Sequence, residues 1–236
     1  MRLKLVLLVS QLKGWYNKME RTLNLIFKEK IIAIIRGIER DAILDMARAI
    51  KKGGISCLEI ALDHSTAGSV RNAYELITLL KKEFGEELCV GAGTVLSEEE
   101  VWQCARAGAA YIISPNTNCA VIRKTKQLGL VSMPGAFTPS EVVMAYEAGA
   151  DIVKLFPAGI LGIEYIKSVR SPLKHIAMSA VGNVTPENCT DFLNAGCCCV
   201  GVGSNLADRK VIACGDFEKI TSNAREYVRN IRENAL

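Results

Sequence analysis

The chain has 236 residues, of which half are hydrophobic and 23% are charged, and its formal net charge is +4. This length and composition are sufficient for one sizeable core, in a single domain the size of a barrel or a sandwich. The charges are spread evenly and form no basic run. This distribution excludes a nucleic-acid-binding surface and a charged disordered tail, but it allows an anionic substrate.

Few side chains are available for binding a metal. The sequence has only two histidines, His64 and His175, so a site with three histidine ligands is excluded. None of the nine cysteines belongs to a CxxC pair, and three of them are consecutive, Cys197–Cys199. Because neighbouring side chains on a strand point to opposite faces, these three cannot surround one metal ion. We therefore expect reduced, mostly buried thiols, and neither a metal nor another cofactor.

The first eighteen residues are interpreted as an appendage. They contain an apolar stretch that is too short to cross a membrane, and no signal-peptide cleavage site follows it. Met19 offers a second plausible start. We predict that residues 1–18 lie outside the fold and that residues 19–236 form the folded domain. No later apolar run could span a bilayer, so the protein is expected to be soluble and cytoplasmic, with no membrane partner.

Eight short apolar runs follow, and each has the length and residue types of a buried β-strand. In chain order they are residues 31–36, 57–62, 88–93, 111–114, 130–133, 152–156, 175–181 and 198–203. Amphipathic helical segments separate the runs, for example residues 41–54, 97–109 and 138–150. Ser97 and Thr138 are predicted N-caps, because acidic residues follow each of them.

The regular alternation of strands and helices, without a linker or a low-complexity stretch, predicts an α/β fold, a single-domain (β/α)8 TIM barrel. An open, doubly wound sheet is the alternative. It is disfavoured because no G-x-G-x-x-G motif follows the first strand, where the chain reads "RGIERD".

Lys154 lies in the middle of the apolar run "IVKLF". Strand alternation places it on the same face as Ile152 and Phe156, and opposite to Val153 and Leu155. If the wholly apolar face meets the helices, Lys154 points into the barrel. An outward-facing lysine, or one that reaches the rim, is the alternative.

Glu59 is a second charged residue within an apolar run, "CLEIAL". Together with Lys154 it forms either a proton-sharing pair at the barrel mouth or a purely structural ion pair. A buried lysine has a lowered pKa and attacks carbonyl carbon, which gives a Schiff base. The protonated imine then accepts electrons from a breaking carbon–carbon bond without a metal, and a nearby carboxylate supplies the proton transfers.

The segment "GNVTPEN" is typical of a strand end followed by a helix, with Thr185 as the N-cap and Pro186 as the first helical residue. Free backbone N–H groups there and after the last strand predict an anion site, as is common in such barrels. The predicted residues are Gly182, Asn183, Gly203 and Ser204. Ordinary helix capping is the alternative. Arg36, at the end of the first strand, is either a carboxylate or phosphate ligand or part of a rim salt bridge.

Several motifs occur in the order seen in the 2-keto-3-deoxy-6-phosphogluconate / 4-hydroxy-2-oxoglutarate (KDPG/KHG) aldolase family, which the chain resembles from about Ile31 to Leu206. They are "IIAIIRG", "LEIAL", "VGAGTVLSEEEV", "ISPN", "PGAFTPSEV", "VKLFPAG" and "AVGNVTPEN". The resemblance implies a class I aldolase with Lys154 as the Schiff-base lysine and Glu59 as the general acid/base. Thr94 and Pro115 would line the pyruvate end, and Arg36 and Phe156 complete the predicted substrate-binding residues.

The same resemblance implies a small keto-acid substrate and a cytosolic homotrimer. Two departures bear on the substrate. Gluconate-type members have an arginine four residues after the catalytic glutamate, where this chain has Asp63, and Thr-Gly-Gly where it has Val181-Gly182-Asn183. These forms are closer to the branch that acts on 2-keto-3-deoxy-6-phosphogalactonate. A phosphate-binding barrel isomerase or epimerase, and a non-catalytic binding member of the family, remain as alternatives.

Overall fold

The computed structural model describes residues 2–235, apart from the side chains of residues 2–13, 15 and 209. Within this part the chain forms nine β-strands, each parallel to its neighbours. They are β1 (Ile31–Ile35), β2 (Cys57–Ala61), β3 (Cys89–Gly93), β4 (Tyr111–Ile113), β5 (Val131–Met133), β6 (Gly135–Ala136), β7 (Val153–Leu155), β8 (Met178–Val181) and β9 (Cys199–Val202).

The same part of the chain forms eleven helices, most of which connect one strand to the next. They are α1 (Arg2–Glu29), α2 (Arg40–Lys52), α3 (Ala67–Phe84), α4 (Glu98–Ala107), α5 (Cys119–Gln127), α6 (Pro139–Glu147), α7 (Ala158–Leu161), α8 (Ile163–Arg170), α9 (Cys189–Asn194), α10 (Arg209–Ala213) and α11 (Phe217–Asn234).

The sheet closes on itself through the short segment that contains β5 and β6. The strand order is β5-β4-β3-β2-β1-β9-β8-β7-β6. Only Pro134 separates β5 from β6, so a single extended run pairs with β4 on one side and with β7 on the other. The barrel therefore has eight positions, one for each predicted apolar run. The predicted (β/α)8 barrel is confirmed, and the open sheet is wrong.

Two hydrophobic clusters follow from the alternation of side chains along each strand. In β1, Ile31, Ala33 and Ile35 face outward and belong to the larger cluster between the strands and the helices. Ile32 faces inward and belongs to a smaller cluster that fills the barrel interior near the strand starts. Ile26 of α1 is fully buried in this inner cluster, so α1 closes that end of the barrel.

Residues 2–18 of the predicted appendage form the first part of α1, the helix that closes the barrel. From Met19 onward, α1 packs against the inner cluster through Met19, Leu23 and Leu25. Tyr16, within the appendage, is 62% exposed. Met1 and the side chains up to residue 13 lie outside the described residues, so the boundary at residue 18 stays a prediction.

Local capping agrees with the sequence at two helices and differs at a third. Ser97 and Thr138 are N-caps, and each forms a capping box with the glutamate three residues later. The prediction that Thr185 caps a helix starting at Pro186 is wrong, because α9 starts at Cys189. The reason is Asn188, whose side chain accepts from Thr185 N at 2.8 Å and donates to Asn183 O at 3.0 Å. These bonds hold residues 183–188 as a loop.

The thiols of all nine cysteines, each within the described part of the chain, are free. Five are buried, which agrees with their expected role as small apolar side chains. Among the described residues, no helix combines the length and the apolar character needed to cross a membrane.

Candidate active site

Lys154 and Glu59 both point into the barrel, from β7 and β2. Val153 and Leu155 pack outward against the helices, which leaves Lys154 on the inner face. Lys154 is only 6% exposed and Glu59 only 2%. The charged groups are thus almost fully removed from water, and each is the main charged neighbour of the other.

Burial changes the protonation of both groups in opposite directions. Desolvation lowers the pKa of Lys154; the nearby Glu59 carboxylate partly offsets this shift, and the Arg36 guanidinium adds to it. Desolvation raises the pKa of Glu59, and the charges of Lys154 and Arg36 partly offset that shift. Both shifts favour the neutral forms. A neutral amine is a nucleophile, and a carboxyl with a raised pKa can hold and release a proton.

Glu59 is held by shape more than by hydrogen bonds. Its Oε2 atom is buried and has no hydrogen-bond partner among the described residues. Gly93, at the end of β3, provides the space for the carboxylate, because a Cβ atom at this position would overlap Glu59 Oε1. Gly91, two residues earlier on the same strand, makes room in the same way for the ring of Tyr111. Gly93 of "VGAGT" therefore provides the space in which the Glu59 carboxylate lies.

Four further predicted residues surround the mouth of the barrel. Arg36 follows β1 and donates from Nη2 to Thr94 Oγ1 at 2.9 Å. Thr94 follows β3 with a positive φ of 58°. The ring of Phe156 lies next to the amine, with Lys154 Nζ 4.8 Å from the ring centroid. The Pro115 carbonyl lies directly against Gly135 of β6, where a Cβ atom would overlap it. The described contacts of Arg36 thus place it at the rim, beside Thr94.

The predicted anion-binding residues lie in two loops, one after β8 and one after β9. Gly182 and Asn183 have positive φ values of 102° and 55°, which turn the chain sharply at the end of β8. Gly203 and Ser204 directly follow β9. Within the described chain, the backbone N–H groups of Asn183, Gly203 and Ser204 donate no hydrogen bond. These groups are available to an anion.

Two residues of this region were missed by sequence reasoning. In the sequence, Gly93 is visible only as part of a motif. Its contact with Glu59 could not be predicted, because it depends on the pairing of β3 with β2. Ser179 of β8 is 1% exposed and is the register partner of Lys154. A serine within the apolar run "HIAMSAV" was the only signal available for it.

Comparison with known proteins identifies the family. The profile of the KDPG and KHG aldolases matches residues 23–223. The 2-dehydro-3-deoxy-6-phosphogalactonate aldolase of Escherichia coli (strain K12) is 36% identical over 207 residues, which are 87% of this chain and 96% of that protein.

Two solved structures are similar over most of their length. The native structure of a KDPGal protein has a TM-score of 0.77 at 35% identity, covering 86% of this chain and 95% of that one. The KDPG aldolase of Legionella pneumophila, with pyruvate captured as a covalent carbinolamine, has a TM-score of 0.77 at 25% identity, covering 85% and 95%. The chain therefore belongs to the KDPG and KHG aldolase family and is a class I, Schiff-base aldolase, a carbon–carbon lyase that acts on a small molecule.

Proposed function

We propose that the chain cleaves 2-keto-3-deoxy-6-phosphogalactonate to pyruvate and glyceraldehyde 3-phosphate, with Lys154 as the Schiff-base lysine and Glu59 as the general acid/base. The observation that carries this proposal is the buried lysine opposite a buried carboxylate, at the end of the barrel where such enzymes bind their substrates. Similarity to a phosphogalactonate aldolase at 36% identity supports the galactonate type. Asp63 and Asn183 support it too, since both depart from the gluconate-type pattern.

In the first half of the reaction, the neutral Lys154 amine attacks the C2 keto carbon of the substrate. The carbonyl oxygen takes up a proton from the amine nitrogen, which gives a carbinolamine. The Glu59 carboxyl then protonates the hydroxyl, which leaves as water to form an iminium ion and the Glu59 carboxylate. Burial assists this half because it lowers the pKa of Lys154 and so increases the share of neutral amine near neutral pH.

In the second half, the Glu59 carboxylate removes the proton from the C4 hydroxyl. The C3–C4 bonding electrons move to the iminium nitrogen, so the aldehyde leaves and an enamine remains. Glu59 then returns its proton to C3, and water hydrolyses the imine to release pyruvate and free Lys154. The raised pKa of Glu59 suits a group that must hold this proton between the two transfers.

The remaining predicted residues are proposed to bind the two ends of the substrate. Phe156 lies against the amine, and Arg36, Thr94 and Pro115 are proposed to line the same end of the site. The guanidinium of Arg36 suits the substrate carboxylate. The N–H groups of Asn183, Gly203 and Ser204 suit the phosphate, with Gly182 shaping the turn. The early part of "TPEN" contributes no helix N-terminus to this site, because α9 starts later than expected.

Removal of the amine should abolish both turnover and trapping of pyruvate. In Lys154→Ala, and in the longer Lys154→Met, we expect no cleavage and no mass increase when the protein is incubated with pyruvate and borohydride. Lys167→Met is the matched control, because Lys167 is exposed and bonded to Glu164. Peptide mass spectrometry that located the adduct on another lysine would refute the assignment. Chelators should leave the rate unchanged, since the iminium ion accepts the electrons.

The position of the Glu59 carboxylate should be as important as its presence. Gly93→Ala places a methyl group where Oε1 lies, so the carboxylate must move. A misplacement of about 1 Å is expected to lower kcat about 10²-fold, within the loss of about 10²–10⁴-fold expected for Glu59→Gln. Gly68→Ala is the control, because a Cβ there meets only ordinary contacts. Steady-state cleavage measures both variants. A normal kcat for Gly93→Ala would show that the position of the carboxylate is not critical, and a normal kcat for Glu59→Gln would contradict its role as the acid/base.

Phosphate binding should depend on close approach to the backbone at Gly203. A Cβ atom at Gly203 has only ordinary contacts with Ile34, so Gly203→Val is compatible with the fold but obstructs the N–H groups. We expect its KM for the phosphorylated six-carbon acid to rise about tenfold or more, the effect of one lost charge-assisted hydrogen bond. Gly203→Ala should have a smaller effect. The KM for unphosphorylated 4-hydroxy-2-oxoglutarate should barely change; equal losses on both substrates would contradict a phosphate site.

We further propose that the enzyme is a cytoplasmic homotrimer. Large apolar side chains exposed on α6, on α7 and just before α6 support a subunit interface: Phe137 (46% exposed), Met144 (48%), Tyr146 (45%) and Ile160 (74%). The free thiols support a reducing compartment. Light scattering on the purified protein is expected to give the mass of three chains, and the mass of a single chain at micromolar concentration would contradict the trimer.

A further inference from the structure

Ser179 is a buried hydroxyl inside the barrel that has no hydrogen-bond partner within the described part of the chain. Its side chain is 1% exposed, and the Oγ atom forms no hydrogen bond with any described residue. Buried polar atoms in folded proteins are nearly always paired with protein groups or ordered water, so an unpaired one next to an active site needs an explanation.

The alternation of β8 shows where this hydroxyl points. Met178 and Ala180 belong to the outer cluster, against the helices. Val200 and Val202 of the neighbouring strand β9 also belong to the outer cluster, so Gly201 between them faces inward. A Cβ atom on Gly201 would contact the side chain of its register partner Val181, which therefore faces inward too. Ser179 is two residues before Val181 and therefore also faces inward. Its register partner on the neighbouring strand is Lys154, so the two inward-facing side chains are adjacent.

The two buried side-chain atoms without partners among the described residues are Ser179 Oγ and Glu59 Oε2. Both lie within the same barrel interior as the Lys154 amine. A buried water needs two or more polar partners. Glu59 Oε2, Ser179 Oγ and the Lys154 amine are three such groups. The interior next to Lys154 is therefore polar enough to hold a water.

We propose that Ser179 is a positioning residue for Lys154, and that its hydroxyl holds one buried water that hydrogen-bonds to the amine. This inference rests on the proposed role of Lys154 as the Schiff-base lysine. The water orients the amine toward the substrate carbonyl and partly replaces the hydration that the buried ammonium form has lost. Ser179 acts through this water and does not touch the substrate.

Other titratable groups also face the barrel interior. Glu59 of β2 and Arg36 after β1 act on Lys154 by charge. Tyr111 of β4, Cys57 of β2 and Cys199 of β9 belong to the inner cluster nearer the strand starts, and Cys89 of β3 packs against that cluster. Ser179 itself does not titrate. Its removal takes a polar neighbour from the amine without changing any charge, so the ammonium form is destabilised and the pKa of Lys154 falls further.

The variants Ser179→Thr and Ser179→Val test whether the hydroxyl is needed. Threonine and valine have nearly the same shape, but threonine keeps a hydroxyl where valine has a methyl group. The measurement is the rate of pyruvate trapping by cyanoborohydride as a function of pH, followed by mass spectrometry. We expect Ser179→Thr to keep the wild-type profile. In Ser179→Val the limiting rate should fall about tenfold, as for the loss of one hydrogen bond, and the midpoint of the rise with pH should shift downward.

Thermal unfolding of both variants accompanies the trapping experiment. Equal profiles for Ser179→Val and Ser179→Thr would overturn the role of the hydroxyl, even if both variants were less stable than the wild type. If neither β-branched variant folds, Ser179→Ala decides, and a wild-type profile in that variant would overturn the inference. A wild-type protein in which pyruvate does not label Lys154 would instead overturn the proposed function, and with it this inference.

Discussion

The removal of Lys154 from water is the constraint on which the rest of the site depends. A lysine on the inner face of β7 is costly as an ammonium ion, and the same cost makes its neutral form accessible. Glu59, on the opposite side of the interior, experiences the reverse effect, since burial favours its protonated form. One physical effect, desolvation by the barrel wall, therefore favours the neutral forms that the proposed nucleophile and the proposed proton carrier need. Without the barrel, the two groups would have ordinary pKa values and no reason to face each other.

The interior is divided along the barrel axis, and this division makes the burial possible. An apolar cluster with Tyr111 and Ile26 packs inside the barrel, and α1 closes the end near the strand starts. At the end of β3, Gly93 leaves the space that the Glu59 carboxylate occupies. Close packing of the apolar cluster holds the strands in register, and the glycine at the end of β3 leaves space for a charged group. The stability of the fold and the chemistry of the site thus use different layers of one barrel.

Family membership determines the reaction class, whereas the residues proposed to select the substrate lie at the ends of the strands and in the loops. The strands that carry Lys154 and Glu59 belong to the shared barrel. The positions that depart from the gluconate-type pattern lie shortly after β2 (Asp63), at the last residue of β8 (Val181) and just after β8 (Asn183). Asp63 accepts a hydrogen bond from Ser65 N at 2.9 Å and so helps to shape the loop before α3. Asn183 tolerates a positive φ, which few residues other than glycine do. The loops can therefore differ from those of relatives without disturbing the buried pair.

The sequence by itself determined the features that depend on local periodicity. The eight apolar runs became the eight barrel positions, and the capping residues Ser97 and Thr138 were identified correctly. Alternation placed Lys154 opposite to Val153 and Leu155, and the packing of those two residues against the helices decided that Lys154 faces inward. The sequence could not determine features that depend on neighbours distant in the chain. The predicted start of α9 was wrong because the Asn188 side chain forms hydrogen bonds with the backbone of Thr185 and Asn183. The Thr-Pro-Glu pattern does not reveal these bonds. Gly93 beneath Glu59 and Ser179 beside Lys154 depend on strand register, which only closure of the barrel fixes, because one residue of slip would turn each side chain to the opposite face.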